Sequence, residues 1–242
     1  MRLMLVNPQK DPMGQAISDY HNHRPLSKLI TETNMSEPEE FPIAHLFRTF
    51  ENMPELEQQA MQLAKGRILD VGAGAGAHSL HLKNKGLDVT AIDTSALSVE
   101  VMNQRGVNAQ HIDFFDLKGE NQFDTLLFMM NGVGLCETIE GLPRFFEQCK
   151  KLLAPGGQIL LDSSNIIYLF VDEDGRIVLD LNSDYYGQLT YHTRYGKLHG
   201  EPFKWLFIDF DTLADAALDN GFYCTMEKEG EHYDYLARLI AM

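Results

Sequence analysis

The chain has 242 residues, 44% of them hydrophobic, a formal net charge of −15 and a pI near 4.9. That length and apolar content suit one domain with an appendage and a full core, while an acidic surface repels phosphate backbones and argues against nucleic-acid partners and anionic membranes. Cys136, Cys149 and Cys224 are scattered, odd in number and lack metal spacing. No basic-then-apolar leader opens the chain and no apolar run nears the roughly 18 residues of a membrane span, so a cytoplasmic protein without a membrane partner is expected.

Residues 1–65 read as an appendage. RPLSKLITETN and PIAHLFRTFENMPELEQQAMQLAKG have helical patterning, separated by the acidic, proline-flanked loop Ser36–Pro42. Ile43, Leu46, Phe47 and Phe50, continued by Met53, Leu56, Ala60 and Leu63, give a face that can dock on a core or serve as a lid. His21 and His23 flank Asn22 in a polar stretch, which reads as a solvated loop and not as a metal site.

The next stretch organises the chain. ILDVGAGAGAHSL, Ile68 to Leu80, is an apolar run ending on Asp70, then Gly72, Gly74 and Gly76 at alternate positions, then an alanine-rich helix. A strand, a tight glycine turn and a helix N-terminus form the nucleotide-binding corner of a doubly wound sheet. The turn has almost no side chains, so backbone N–H groups can approach a ligand closely. Alternation continues: helix 75–85, strand 88–92, helix 95–105, strand 107–112, buried strand 123–129, helix 141–153 closed by Pro155-Gly156-Gly157, and strand 158–162. That order implies a parallel sheet with right-handed crossovers. The tail reads as helix 211–220 and an antiparallel pair, 222–229 and 233–241. Between 163 and 210 lies an aromatic insertion, with a hairpin expected around Glu173-Asp174-Gly175-Arg176 and a strand-like DYYGQLTYHTRY.

ILDVGAGAG, AIDTS about twenty residues on, QHIDFFDL, FDTLLFMMNGVG and LLAPGGQILLD, in that order, resemble the class I S-adenosylmethionine-dependent methyltransferases. The resemblance covers 66–162 closely and the terminal helix and strand pair loosely. It implies a Rossmann-like, seven-stranded, mostly parallel sheet with a C-terminal antiparallel pair, carried by residues 66–242, with the N-terminal helical appendage before it. It also implies S-adenosylmethionine as cofactor and methyl transfer as reaction. The acceptor expected is an oxygen or nitrogen of a small molecule; a protein acceptor and a non-catalytic cofactor-binding role stay open. A nicotinamide-dependent dehydrogenase would share the first strand and turn but prefers G-x-G-x-x-G, and this chain has G-x-G-x-G.

The residues fit that cofactor chemically. Asp70, just before Gly72, Ala73, Gly74 and Gly76, can reach an ammonium group. Asp93, with Thr94 beside it, ends the second strand and can accept both ribose hydroxyls. Asp113 can accept from the adenine amino group while Phe114 covers the base. Met130 and Asn131 leave the fourth strand beside the methionine part. Arg48 is the candidate partner for the cofactor carboxylate. After the fourth strand the chain reads Asn131-Gly132-Val133-Gly134 and not the acid-or-Asn, Pro-Pro-aromatic signature of nucleobase-amine and glutamine methyltransferases. His78 and His192 are base candidates, though displacement at a sulfonium-activated carbon needs no dedicated base. Tyr20, Tyr168, Tyr191 and Trp205, with His192, are substrate-facing candidates; no residue is assigned as catalytic and the oligomeric state is open.

Overall fold

The computed structural model describes residues 5–179 and 184–242. Its elements, in chain order, begin with α1 (Pro12–His21), the hairpin strands β1 (Leu29–Thr33) and β2 (Ser36–Glu40), and α2 (Glu55–Leu63). Then β3 (Arg67–Val71), α3 (Ala77–Asn84), β4 (Asp88–Asp93), α4 (Ala96–Gln104), β5 (Asn108–His111), β6 (Phe123–Phe128), α5 (Leu142–Leu152) and β7 (Leu153–Ser164) alternate as expected. The insertion supplies β8 (Gln188–Tyr195), β9 (Leu198–His199) and β10 (Phe203–Leu206), and the tail α6 (Phe210–Asp219), β11 (Phe222–Glu229) and β12 (Asp234–Ala241).

The main sheet has the order β11-β12-β7-β6-β3-β4-β5. Strands β3 to β7 run parallel, β12 is antiparallel to β7, and β11 is antiparallel to β12. Its central strands carry consecutive apolar residues, Ile68-Leu69, Leu126-Leu127-Phe128 and Ile159-Leu160-Leu161, because both faces are covered. Leu69, Leu126, Phe128, Ile159 and Leu161 face α5 and α6, while Ile68, Leu127, Met129 and Leu160 face α2 and α3. On α5 the buried residues Leu142, Phe145, Phe146, Cys149 and Leu152 recur at helical spacing. Phe145 meets Phe128 edge-on at 4.9 Å between centroids, so the largest side chains knit this layer.

The appendage differs from its sequence reading. RPLSKLITETN is not helix, and Ser36–Pro42 is not loop: they carry β1 and β2, which join β8, β9 and β10 in a second, antiparallel sheet of order β10-β8-β1-β2 with β9 on β8. The β-branched Ile30, Thr31 and Thr33 favour a strand once a partner is present. That partner is β8, with Leu29 opposite Tyr195 and Thr33 opposite Tyr191, and nothing local announces it. PIAHLFRTF forms short 3-10 turns and not an α-helix, because Arg48 leaves helical geometry and Pro54 ends the segment. The hairpin expected near Gly175 is present as a tight turn, closed by the Val171–Ile177 bridge.

The second sheet sits over the carboxyl edge of the main one. α1 fixes one side of it. Asp11 caps α1 by accepting from Gly14 N, and its other carboxylate oxygen accepts from the hydroxyl of Ser95, itself the cap of α4. Ala16, Ile17, Leu29 and Tyr195 then pack α1 against β1 and β8. Among the described residues no helix is long and apolar enough to cross a membrane.

Candidate functional site

The glycine turn opens a cradle at the end of β3. Gly72, Gly74 and Gly76 have φ of +69°, +58° and +79°, a region costly for any residue with a Cβ. A Cβ on Gly72 or Gly74 would meet no protein atom within 4 Å, whereas on Gly76 it would press on Met102 at 3.0 Å. The first two glycines thus keep space open for a ligand and the third lets α3 pack on α4. Gly72 N and Ala73 N donate to Ile92 O, at 2.9 and 3.2 Å, which locks the turn against β4. Asp70 lies beneath it, fully buried, accepting from Ser79 Oγ at 2.6 Å; burial pushes its carboxyl above the usual range.

Beside the turn lies a cleft of about 130 Å³, lined among others by Gly72, Asp93, Thr94, Asp113, Phe114 and Trp205. Asp93 accepts from Gly74 N at 2.9 Å and Ser95 N at 2.8 Å. Burial pushes its carboxyl up to about 6, and the charges of Asp11 and Asp70 add to this. Thr94 contributes its carbonyl to the wall's backbone ties, accepting from Val6 N at 2.9 Å. Asp113 accepts from Phe115 N at 2.8 Å. The Phe114 ring is mostly core, edge-on to Phe128 at 5.2 Å, and the neighbouring Phe115 carries the Arg144 guanidinium 3.9 Å above its ring.

Met130 and Asn131 both have positive φ, 60° and 58°, where β6 leaves the sheet. The sequence reading aims the Asn131 amide at a ligand; the structure uses both its ends for the scaffold. Nδ2 donates to Leu206 O at 3.1 Å, Oδ1 accepts from Ser163 Oγ at 2.6 Å, and the backbone N donates to Asp162 Oδ1 at 3.1 Å. Asn131 thereby bolts β10 to the carboxyl edge.

Arg48 is buried. Its Nε donates to Glu57 Oε2 at 2.9 Å, Nη2 donates to the same oxygen and Nη1 to His45 O. His78 Nε2 lies 2.9 Å from Glu57 Oε2. The cluster sits on the α2–α3 face, the side on which Asp70 and Asp162 project from β3 and β7. Burial pushes the Asp162 carboxyl up to about 7; Glu57 also raises it, while the Asn131 N–H and His78 act downward. Glu57, Asp162 and Phe115 were missed as site residues in the sequence. A signal exists for Asp162: like ILD, AID and HID, LLD places an aspartate at or within two residues of a strand's end, and the sequence reading singles out only the other three.

Of the substrate-facing candidates, the structure brings Trp205 to the cleft. A Cβ on Gly134 would collide with its indole, so the glycine admits the ring. Tyr191 stacks on Phe203 at 5.5 Å, Tyr168 on Tyr233 at 5.2 Å, and Tyr20 packs on Phe47 at 4.6 Å. His192 is exposed, opposite Glu32 on β1. His21 lies parallel to Phe47 at 6.4 Å. Among the described residues no group of three or more His, Cys, Asp or Glu side chains is placed to hold a metal ion.

Comparison with known proteins follows the same lines. Residues 68–157 match a family described as a methyltransferase domain. A crystal structure of a SAM-dependent methyltransferase from Bacteroides fragilis, in complex with S-adenosyl-L-homocysteine, is 47% identical over 98% of this chain and 98% of that one, with a TM-score of 0.92. A putative methyltransferase of Bacillus subtilis is 31% identical over 104 residues, 40% of this chain and 42% of that protein. A ubiquinone biosynthesis O-methyltransferase of Psychrobacter cryohalolentis is 34% identical over 137 residues, 50% of this chain and 51% of that protein. The chain thus spans about half the length of these curated relatives.

Proposed function

Because the chain belongs to the S-adenosylmethionine-dependent methyltransferases, we propose that its methyl acceptor is an oxygen or nitrogen of a small organic molecule held beneath the second sheet. The observation that carries this reading is the tie between the two sheets. Asn131, Ser163 and Leu206 are hydrogen-bonded together, and Trp205 seats on Gly134. A polymer would need an open groove at this edge. The covered edge suits a small acceptor, and the name of the Psychrobacter relative points the same way for the half of the chain it matches. The second sheet, with β1 and β2 from the N-terminal appendage and β8 to β10 from the insertion, is then one cover assembled from two places in the chain, while α2 packs on the face of the catalytic domain.

The residues fit the cofactor because the Gly72–Gly74 cradle is space that a Cβ would fill. Asp93 would hold the ribose hydroxyls, Asp113 the adenine amino group with Phe114 and Phe115 at the base, and Asp70 the ammonium through its surroundings. Arg48 retains N–H groups beyond those given to Glu57 and His45, for the carboxylate. When bound, S-adenosylmethionine supplies a methyl group already activated by a sulfonium. The protein's own tasks are alignment, exclusion of water and acceptance of the acceptor's proton. A cytoplasmic setting fits the free thiols of Cys136, Cys149 and Cys224.

The test uses purified protein with methyl-tritiated S-adenosylmethionine and separate pools of phenols, alkyl amines and whole-cell protein. Label in a small-molecule pool is expected. Label confined to the protein pool would overturn the acceptor class and leave the methyltransferase assignment standing.

A further inference from the structure

Phe114 and Phe115 follow Asp113 on the 3-10 turn Phe114–Asp116, and their rings go to different places. Phe114 is 4% exposed and belongs to the core, edge-on to Phe128 and tilted against Phe145 at 6.0 Å. Phe115 is partly buried and lines two clefts. One is the cofactor cleft, at the end that Asp113 marks for adenine. The other is a larger space of about 620 Å³ between the start of α5 and the strands β8 and β10. Arg144 lines only the larger space, and its guanidinium lies 3.9 Å over the Phe115 ring. One face of the ring is therefore taken by a cation, and the opposite face is the one left for the cofactor cleft.

The turn beneath the ring is held from both sides. Asp113 caps it by accepting from Phe115 N at 2.8 Å, and Leu117 N donates to Phe114 O at 3.3 Å. From α5, the buried Gln148 donates through Nε2 to Phe114 O and Leu117 O, both at 2.9 Å. Arg144 stands four residues before Gln148 and shares its helix face. The same face of α5 thus fixes the backbone of the turn with one side chain and rests on the Phe115 ring with the other.

Arg144 breaks a local rule in this position. It lies in the first turn of α5, where free N–H groups and the helix dipole disfavour a cation, and that turn holds no acid to offset it. Departures of this kind, tolerated against local preference, gather at functional sites.

We propose that Phe115 is the platform on which the adenine of S-adenosylmethionine stacks, and that Arg144 is a positioning residue acting through that ring. The proposal rests on the cofactor reading of Gly72, Asp93 and Asp113. With its backbone fixed by Asp113 and Gln148, Phe115 keeps only its side-chain rotations. A guanidinium flat on one face restricts these before the ligand arrives, so less freedom is lost on binding. It also draws the ring's negative π-density toward itself, which leaves the inner face better suited to an electron-rich purine. Phe114, with its ring engaged in the core, gives the base far less surface.

Calorimetry with two ligands and a double-mutant cycle tests this without any methyl acceptor. S-adenosylhomocysteine and 5′-methylthioadenosine share the adenosine and differ in the charged tail. Phe115→Leu should weaken both by the same factor, roughly tenfold, the size of one aromatic–base stack. Phe115→Met, which keeps more of the ring's volume, replaces it should the leucine variant fail to fold. Arg144→Ala, at an exposed position, should weaken both ligands by about threefold. It should add nothing in a Phe115→Leu background. Parental affinity in a folded Phe115 variant would overturn the platform. An Arg144→Ala effect that is absent, that persists without the ring, or that is confined to S-adenosylhomocysteine would overturn the positioning role; the last would show a charge acting on the tail. Failure of the parent to bind either ligand would instead refute the cofactor assignments.

Discussion

Asp93 faces two demands of opposite sign, and replacing it by Asn separates them. Its carboxyl group is desolvated although the residue as a whole is half-buried, which raises the carboxyl from 3.8 to about 6. A raised native pKa means that the protonated form is the favoured one. The associated stability is fully present below the unfolded value, near 4, and is lost as pH rises through about 6. Two units correspond to at most about 3 kcal/mol, and Asp93 is only partly buried, so about 1 kcal/mol is a realistic size after solvent screening. Asp93→Asn removes that loss. Its stability relative to the parent should therefore improve by about 1 kcal/mol between pH 4 and pH 7.5 in urea titrations. Cofactor binding should move the other way. A charge-assisted hydrogen bond is worth about 1.5–3 kcal/mol, so the variant should bind S-adenosylhomocysteine roughly 10- to 150-fold more weakly. At pH 5 only about one carboxylate in eleven is ionised with a pKa near 6, so the parent's Kd should be about tenfold weaker there than at pH 7.5. The variant should show no such dependence. Calorimetry at both pH values reads all of this. A folded Asn variant with parental affinity, or a parent whose affinity is flat from pH 5 to 7.5, would refute the assignment of Asp93 to the ribose.

Two further substitutions separate ligand contact from scaffold. Gly74→Ala places a Cβ where no protein atom lies within 4 Å. Its Tm should fall by only a few degrees, from the positive-φ strain of about 1 kcal/mol, while S-adenosylhomocysteine affinity drops at least about tenfold; parental affinity in calorimetry would mean the cradle is not the cofactor's. Arg48→Ala leaves Glu57 buried without its guanidinium, which should cost about 3 kcal/mol of stability by denaturant titration. If Arg48 also holds the cofactor carboxylate, S-adenosylhomocysteine binding weakens while 5′-methylthioadenosine, which lacks that group, binds as before; equal affinities for parent and variant would restrict Arg48 to its ion pair.

The main sheet was legible because each of its signals is local. A glycine turn, strand-ending aspartates and the Pro155-Gly156-Gly157 corner need only neighbours in sequence to be read. The second sheet was not, because its pairings are remote: Thr33 finds Tyr191, and β2 is an exposed acidic stretch with a proline in it, which reads as loop. The site divides along the same line. Asp70, Asp93 and Asp113 announce themselves at strand ends, but the use of Asn131 as a bolt depends on Leu206 arriving from 75 residues away. Glu57 on α2 reads as an ordinary helix-face acid until Arg48 and His78 close around it.

The pairing of β1 with β8 also orders events during synthesis. The hairpin β1–β2 leaves the ribosome early, yet its inner neighbour β8 starts at Gln188, and β10, which supplies Trp205 and Leu206, comes later still. Contacts so distant along the chain close late, because the intervening loop must be ordered first. By then β3 to β7, with their crossover helices, have been translated, although β12, which borders β7, has not. A nascent chain therefore displays the glycine turn and its aspartates before it has a cover, and for that interval the pair β1–β2 carries an unsatisfied strand edge beside Leu29 and Ile30. Truncations ending between β7 and β8 would trap this state, exposing an adhesive edge that the finished protein conceals.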